Sequence, residues 1–202
     1  MLRAALWVLA GLVLGGIIHI VVILAMPALA ATQAWDRVMA LGADKGVVVL
    51  PQVKPGVDNP LRLDPELAYA ACQIDLSKGP GTMTGSLPQS FWSVAIYNEA
   101  GNVTFATTNR DGIGNALDLG IFNAAQTRLL AEQTLDIDDG LLIVEADADK
   151  VMVIIRLAPP MPENRARYEA ALAGLKCGNL SLAAAAGPPS LGAPPSPAPG
   201  TQ

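Results

Sequence analysis

Residues 4–31 read AALWVLAGLVLGGIIHIVVILAMPALAA, a run of 28 residues whose one ionisable side chain is His19. No other stretch limits so tightly what this chain can be. A bilayer core takes about 20 apolar residues in helical form, so the run predicts a transmembrane anchor over residues 1–31. A cleaved signal peptide is the alternative. Arg3 supplies a positive start, and Ala28-Leu29-Ala30 is a small-x-small cleavage site. A signal h-region is about 7–15 residues long, shorter than this run, which favours the anchor. In both readings the remainder is exported. Arg3 and the start amine precede the segment, so the positive-inside rule keeps the N-terminus in the cytoplasm.

Gly11 and Gly15 form a G-x-x-x-G pair. Small residues four apart allow close helix–helix packing, although glycine is also simply common in membrane helices, and that plainer account is favoured. His19 lies near the middle of the span. With no second ionisable group in the run to relay to, a neutral imidazole facing a helix partner is the expected state.

The chain has 202 residues, which leaves room after the anchor for one domain with a single core. Twelve of the 13 basic residues and all 18 acidic residues follow the anchor, leaving the exported part at −6. That balance argues against nucleic acid and against docking on anionic lipid headgroups. The two cysteines, Cys72 and Cys177, both lie in the exported part. An oxidising compartment favours pairing them; two buried free thiols are the alternative.

Along the chain, Trp35, Val38, Met39 and Leu41 share a helical face, so residues 32–45 are expected to begin as a juxtamembrane helix that Gly42 ends. Trp35 sits where an amphipathic ring is favoured near the interface. Residues 47–50 suggest a short strand, and residues 51–65, with four prolines, an irregular loop. Residues 67–75 (LAYAACQID) and 82–87 suggest strands. Residues 90–98 (SFWSVAIYN) alternate, with Trp92, Val94 and Ile96 on one face, and predict a half-buried strand. A turn at Glu99–Asn102 returns the chain along residues 103–108. Residues 109–119 read as a loop, and residues 123–132 as a helix with Asn123 at its N-cap. Asp136–Gly140 reads as a turn. Residues 141–145 and 151–157 read as a central hairpin buried on both faces. A last helix starts at Pro162, carries Tyr168, Leu172 and Leu175 on one stripe, and stops at Gly178. The sum is a mainly β domain over residues 46–180, a sandwich of six to eight strands with two short helices. The Ala/Pro-rich residues 181–202 read as a disordered tail.

The segment AYAACQIDLSKGP, followed by FWSVAIYNEAGNVTFATTNR, resembles the family called domain of unknown function 1254. That family has a strand ending in a Tyr/Cys-x-x-Asp-Leu-Ser-x-Gly-Pro pattern before a Trp-Ser-x-x-x-Tyr strand. The matching residues are Tyr69, Cys72, Asp75, Leu76, Ser77, Gly79 and Pro80, then Trp92, Ser93 and Tyr97. The whole layout is similar to short, membrane-anchored proteobacterial members of the family. The core resemblance covers residues 67–110, and a looser one reaches Cys177. It implies a β-sandwich-like fold, a bacterial inner-membrane location with the C-terminal domain in the periplasm, and a protein partner. Larger relatives join this domain to a domain of unknown function 1214, and short anchored members tend to be encoded beside a separate protein of that type.

Chemistry is sparse. The one histidine lies in the apolar run, which removes Ser-His-Asp and Cys-His catalysis and histidine-based zinc sites from the exported domain. Asp75 and Tyr97 could form a polar pair, but Asp75 capping the turn at 76–79 and Tyr97 packing at a sheet edge is the simpler reading. Arg110 could fork onto an anion or pair with Asp111 or Asp75; the structural role is favoured. Counted from Asp136, the acidic cluster of residues 136–149 puts Leu141 where a calcium loop needs glycine, so the EF-hand pattern fails. No cofactor and no metal are expected, and no catalytic residue is assigned. Asp75, Trp92, Tyr97 and Arg110 are the candidates for contact with a ligand or partner. The expected function is a membrane-tethered envelope protein whose β domain binds a partner protein. The alternatives are an envelope enzyme using carboxylate and tyrosine chemistry, and a periplasmic small-ligand binder if the N-terminus is cleaved.

Overall fold

The N-terminal apolar run is helical without interruption. Helix α1 spans Leu2–Met39 in a computed structural model that describes residues 2–110, 115–132 and 141–180. At 1.5 Å per residue it is about 57 Å long. Its first part, Leu2–Met26, has the length and composition to cross a bilayer, and none of it is buried against the domain. A helix of this kind at the N-terminus is a membrane anchor or a signal sequence. The last turns of the same helix are part of the domain, where Val38 is buried and Trp35 and Met39 are partly buried. The helix stops where Gly42 takes a φ of +90° and returns its N–H to the Met39 carbonyl, a conformation that favours glycine.

Nine strands follow among the described residues. They are β1 (Val48–Val49), β2 (Ala68–Asp75), β3 (Gly81–Ser86), β4 (Trp92–Asn98), β5 (Val103–Thr108), β6 (Ala116–Asn123), β7 (Leu142–Ala146), β8 (Lys150–Leu157) and β9 (Lys176–Asn179). Two short helices, α2 (Ala124–Glu132) and α3 (Arg165–Ala173), complete the set. The strands form a five-stranded sheet in the order β1-β2-β8-β4-β5 and a four-stranded sheet in the order β7-β6-β3-β9. The chain is mainly β.

The two sheets face each other across one apolar core. The first contributes Cys72, Ile74, Trp92, Val94, Ile96, Val153 and Ile155, and the second Met83, Leu117, Leu119, Ile121 and Val144. The period-two reading of residues 92–96 thus selects the core face correctly. Helix α3 adds Tyr168 and Leu172 to the same core, with Leu175 just beyond its end. Arg165 anchors that helix, donating to the carbonyls of Pro65 and Leu67 and pairing with Glu169 at 2.8 Å. Cys72 on β2 and Cys177 on β9 are joined by a disulfide, so one covalent bond links the two sheets.

Helix α2 opens on a reciprocal cap. Asn123 Oδ1 accepts the Gln126 N–H, and Gln126 Oε1 accepts the Asn123 N–H, both at 2.9 Å. The hairpin between β4 and β5 turns at Gly101, where φ is +78°.

Three readings need correction. Residues 141–145 and 151–157 do not form a hairpin. β7 lies at the edge of the second sheet, parallel to β6, while β8 lies at the centre of the first, between β2 and β4. The short link between them crosses from sheet to sheet. Asp147 accepts from Asn98 Nδ2 at 3.4 Å and Asp149 from Asn123 Nδ2 at 3.0 Å, so these carboxylates tie the link to one strand of each layer. Second, the expected loop over residues 109–119 contains the start of β6, whose Leu117, Leu119 and Ile121 alternate inward. Third, the last helix ends at Ala173, and Gly178 lies inside β9, which pairs with β3. The turn read at Asp136–Gly140 and the tail at 181–202 lie outside the described residues.

The bridge closes a sequence separation of 105 residues. On the chain-entropy account, a loop of that length is worth about 4–5 kcal/mol. Reducing the detergent-solubilised full chain, or replacing Cys177 with Ala, should therefore lower the unfolding free energy by about that amount, read from urea titrations of the two redox forms.

Candidate functional site

The first sheet is apolar on its outer face as well. Tyr69 and Ala71 on β2 and Met152 and Ile154 on β8 point away from the inter-sheet core. They form a second cluster with Val38, Trp35 and Met39 of α1 and with Leu61 and Leu63 of the proline-rich loop. The helix and the loop cover this face without filling it. A cavity of about 390 Å³ remains between them and the sheet. That volume falls in the range of small-molecule sites, about 300–1,000 Å³.

Three aromatic side chains line the cavity: Trp35 from the helix, Tyr69 from β2 and Tyr97 from β4. Met152 and Ile154 supply the floor. Two arginines join them, Arg156 from β8 and Arg62 from the loop, and among the described residues no aspartate or glutamate lines the cavity. Arg156 lies between Tyr69 and Ser93 in the sheet register. Neither guanidinium takes part in an ion pair or side-chain hydrogen bond among the described residues.

The loop that carries Arg62 is held in place at several points. Asn59 Nδ2 donates to the Leu63 carbonyl at 2.8 Å, and Asn59 Oδ1 accepts the Leu63 N–H at 2.9 Å. Arg37 Nη1 donates to the Pro60 carbonyl at 2.7 Å, tying the loop to α1, and the Asp64 N–H donates to the Tyr69 hydroxyl at 3.1 Å. Within this frame Arg62 adopts a φ of +51°, the one positive φ at a non-glycine residue among the described residues. Such a backbone persists only where its surroundings over-determine it.

The residues singled out in the sequence separate. Tyr97 lines the cavity; the other three candidates do not. Trp92 is buried between the sheets. Arg110 is exposed beyond β5, where its own N–H donates to Thr108 Oγ1; its expected alternative partner Asp111 lies outside the described residues. Asp75 caps the 3₁₀ turn Leu76–Lys78: its Oδ1 accepts the Ser77 N–H at 3.1 Å and the Ser77 hydroxyl at 2.5 Å, while Lys78 approaches at 3.5 Å. Asp75 therefore pairs with Lys78 rather than Arg110, and takes part in the turn rather than in a pair with Tyr97. Gly11 and Gly15 sit in the apolar part of α1, where an added Cβ would meet nothing within 4 Å.

Arg62 and Arg156 were not among the sequence candidates. Arg156 had a signal, as the lone charge in VMVIIRL, where period two places it with Met152 and Ile154. Arg62 had none, because its position depends on how the loop folds back.

No family model and no curated protein matches the chain. Among solved structures, the VPA0106 protein of Vibrio parahaemolyticus is similar at a TM-score of 0.46, with 12% identity, over 67% of this chain and 33% of that one. An uncharacterised protein of Burkholderia cenocepacia is similar at a TM-score of 0.39, with 12% identity, over 56% of this chain and 32% of that one. The chain spans about a third of the length of each.

The cap at Asp75 has a pH signature. The Ser77 hydroxyl bond foremost, then the Ser77 N–H and the Lys78 ammonium, hold the carboxyl below its usual value of 3.8, against a smaller opposing effect of burial. A carboxylate depressed in the folded state stabilises fully above the unfolded value, and that contribution is lost as pH falls through the folded one. Urea midpoints of the wild type should exceed those of Asp75→Asn at pH 6, with the gap closing as the pH drops below 3.8.

Proposed function

We propose that this chain is a single-pass protein of the bacterial inner membrane whose periplasmic β domain works by binding rather than by chemistry. The cavity under the end of α1 is the observation that carries this reading. Among the described residues its lining holds no serine, cysteine, histidine or carboxylate. The titratable groups there are the hydroxyls of Tyr69 and Tyr97 and two guanidinium groups, a set suited to holding a ligand by hydrogen bonds and charge. Aromatic walls with a few polar groups fit recognition of a partly apolar molecule. The Cys72–Cys177 bridge supports an oxidising compartment, and the 25 residues of Leu2–Met26, longer than a signal h-region of about 7–15, favour a tether that stays attached.

A protein partner is the second reading, in line with the resemblance to the domain of unknown function 1254 family and its companion domain of unknown function 1214. Phe91 and Met161 favour it. Both are large apolar side chains, 54% and 58% exposed. The Phe91 carbonyl accepts the N–H of Ala158, three residues before Met161. A contiguous exposed apolar patch is a common mark of a contact surface, and a partner seated at this end would cover both side chains.

Two measurements test the proposal. Intact mass of protein extracted from native membranes should begin at Met1; a mass beginning at Ala31 would remove the tether and leave a soluble binder. Native mass spectrometry of the same preparation should show a stoichiometric adduct that is lost in Ile154→Trp, which fills the cavity. A companion protein retained by that variant but lost in Phe91→Ser would move the binding surface to the Phe91 end. A chain that emerges bare in every case defeats the binding reading.

A further inference from the structure

We propose, on the premise that the cavity is the binding site, that its ligand is an anionic amphiphile drawn from the membrane, with a carboxylate or phosphate headgroup on an apolar chain. Three observations converge on this chemistry.

The first is charge. The chain beyond the apolar run carries six more acidic than basic residues, yet two arginines line one cavity with no carboxylate in its lining among the described residues. Arg156 is half-buried beside Tyr69 and Ser93 on a mostly apolar sheet face, and among the described residues its guanidinium has no acceptor. Withdrawing a cation from water without a partner is unfavourable, and in so acidic a domain an acceptor would be easy to supply. The missing acceptor is the ligand's anion, to which a guanidinium can present paired donors.

The second is shape. Met152, Ile154 and Arg156 succeed one another on the outer face of β8, and Tyr97 stands opposite Met152. From Arg156 to Met152 is four residues, or about 13 Å of strand. The cavity thus runs from a cation beside Tyr69 to an end lined by Met152 and Tyr97, where the Asn98 amide is already engaged with Asp147 and Asn102. A headgroup at Arg156 would lay its chain along Ile154 and Met152.

The third is supply. Trp35 and Val38 form a wall of the cavity and belong to the helix whose first part is long and apolar enough to cross a bilayer. Ala34, the first lining residue, lies eight residues beyond Met26, about 12 Å along the helix axis. A molecule leaving the bilayer surface reaches the cavity along the tether itself. The overall negative charge argues against the whole domain lying down on anionic lipid; one anion held in an open cleft between half-buried Arg156 and exposed Arg62 does not require that.

The test uses the full chain in nanodiscs of zwitterionic phosphatidylcholine, with a palmitic acid that carries a photoactivatable diazirine on its chain. Labelling is expected in the peptides holding Trp35–Val38 and Leu61–Leu63. It should fall about tenfold or more in Arg156→Gln and in Arg62→Gln, the loss of a charge-assisted hydrogen bond. It should be unchanged in Arg110→Gln, an exposed arginine off the cavity. Displacement by unlabelled palmitate identifies a free fatty acid, and displacement by phosphatidylglycerol a phospholipid headgroup; both support the proposal. Equal labelling by the matching fatty alcohol would overturn it, because no charge would then be read. Displacement by inorganic phosphate alone would overturn it from the other side, because no chain would be needed. Labelling confined to other peptides would also overturn it. If the acid never labels the cavity while the native adduct is still lost in Ile154→Trp, the ligand class fails and the binding reading stands.

Discussion

Strand β8 lies at the centre of the first sheet with apolar side chains on both faces, and both faces must be kept from water. Val153 and Ile155 are covered by the second sheet. Met152 and Ile154 have no second sheet on their side and are covered by the last turns of α1 and by the proline-rich loop. The rest of the molecule depends on this second covering. It makes the end of the N-terminal apolar helix into part of a domain core, and it holds residues 59–69 in place through Arg37, Asn59 and Tyr69. The helix end and the loop cover this face without filling it, and a cavity of about 390 Å³ is left.

The inter-sheet layer is closed more conventionally. Its strands interdigitate, α3 adds Tyr168 and Leu172, and the Cys72–Cys177 bridge joins the layers. Hydrogen bonds from Asn98 and Asn123 to Asp147 and Asp149 steady the link between the sheets. The acidic residues that look in sequence like ion ligands are, where described, partly occupied in these contacts. The two layers therefore differ in kind: one is stapled and filled, the other clamped by the helix end and left with space.

Much of this was legible in the chain. Alternation along residues 90–98 identified Trp92, Val94 and Ile96 as a core face, and the stripe of Tyr168, Leu172 and Leu175 identified the buried face of the last helix. Asn123 was readable as a cap. What failed were statements about pairing. The apolar runs at β7 and β8 look like two arms of a hairpin because they are adjacent, but a short link can cross between sheets as readily as reverse within one. Strand β9 was hidden because four residues with a glycine have no pattern of their own; they become a strand by pairing with β3, next to the bridge at Cys177. The candidate site was the least legible. Tyr97 was singled out, but its neighbours Trp35, Tyr69, Arg62 and Arg156 come from four separate stretches of chain.

Local physics is enough to establish that this chain begins with a helix apolar enough for a bilayer, that its remainder is mainly β, and which side chains of its best strands turn inward. Those properties depend on hydrophobic run length and on periods of two and 3.6 residues, and both are written in linear order. The division of strands between two sheets, the parallel pairing of β6 with β7, and the meeting of two arginines over an aromatic cavity are not. Each depends on distant segments covering the same apolar surface, and which of them do so is settled only when the whole chain packs.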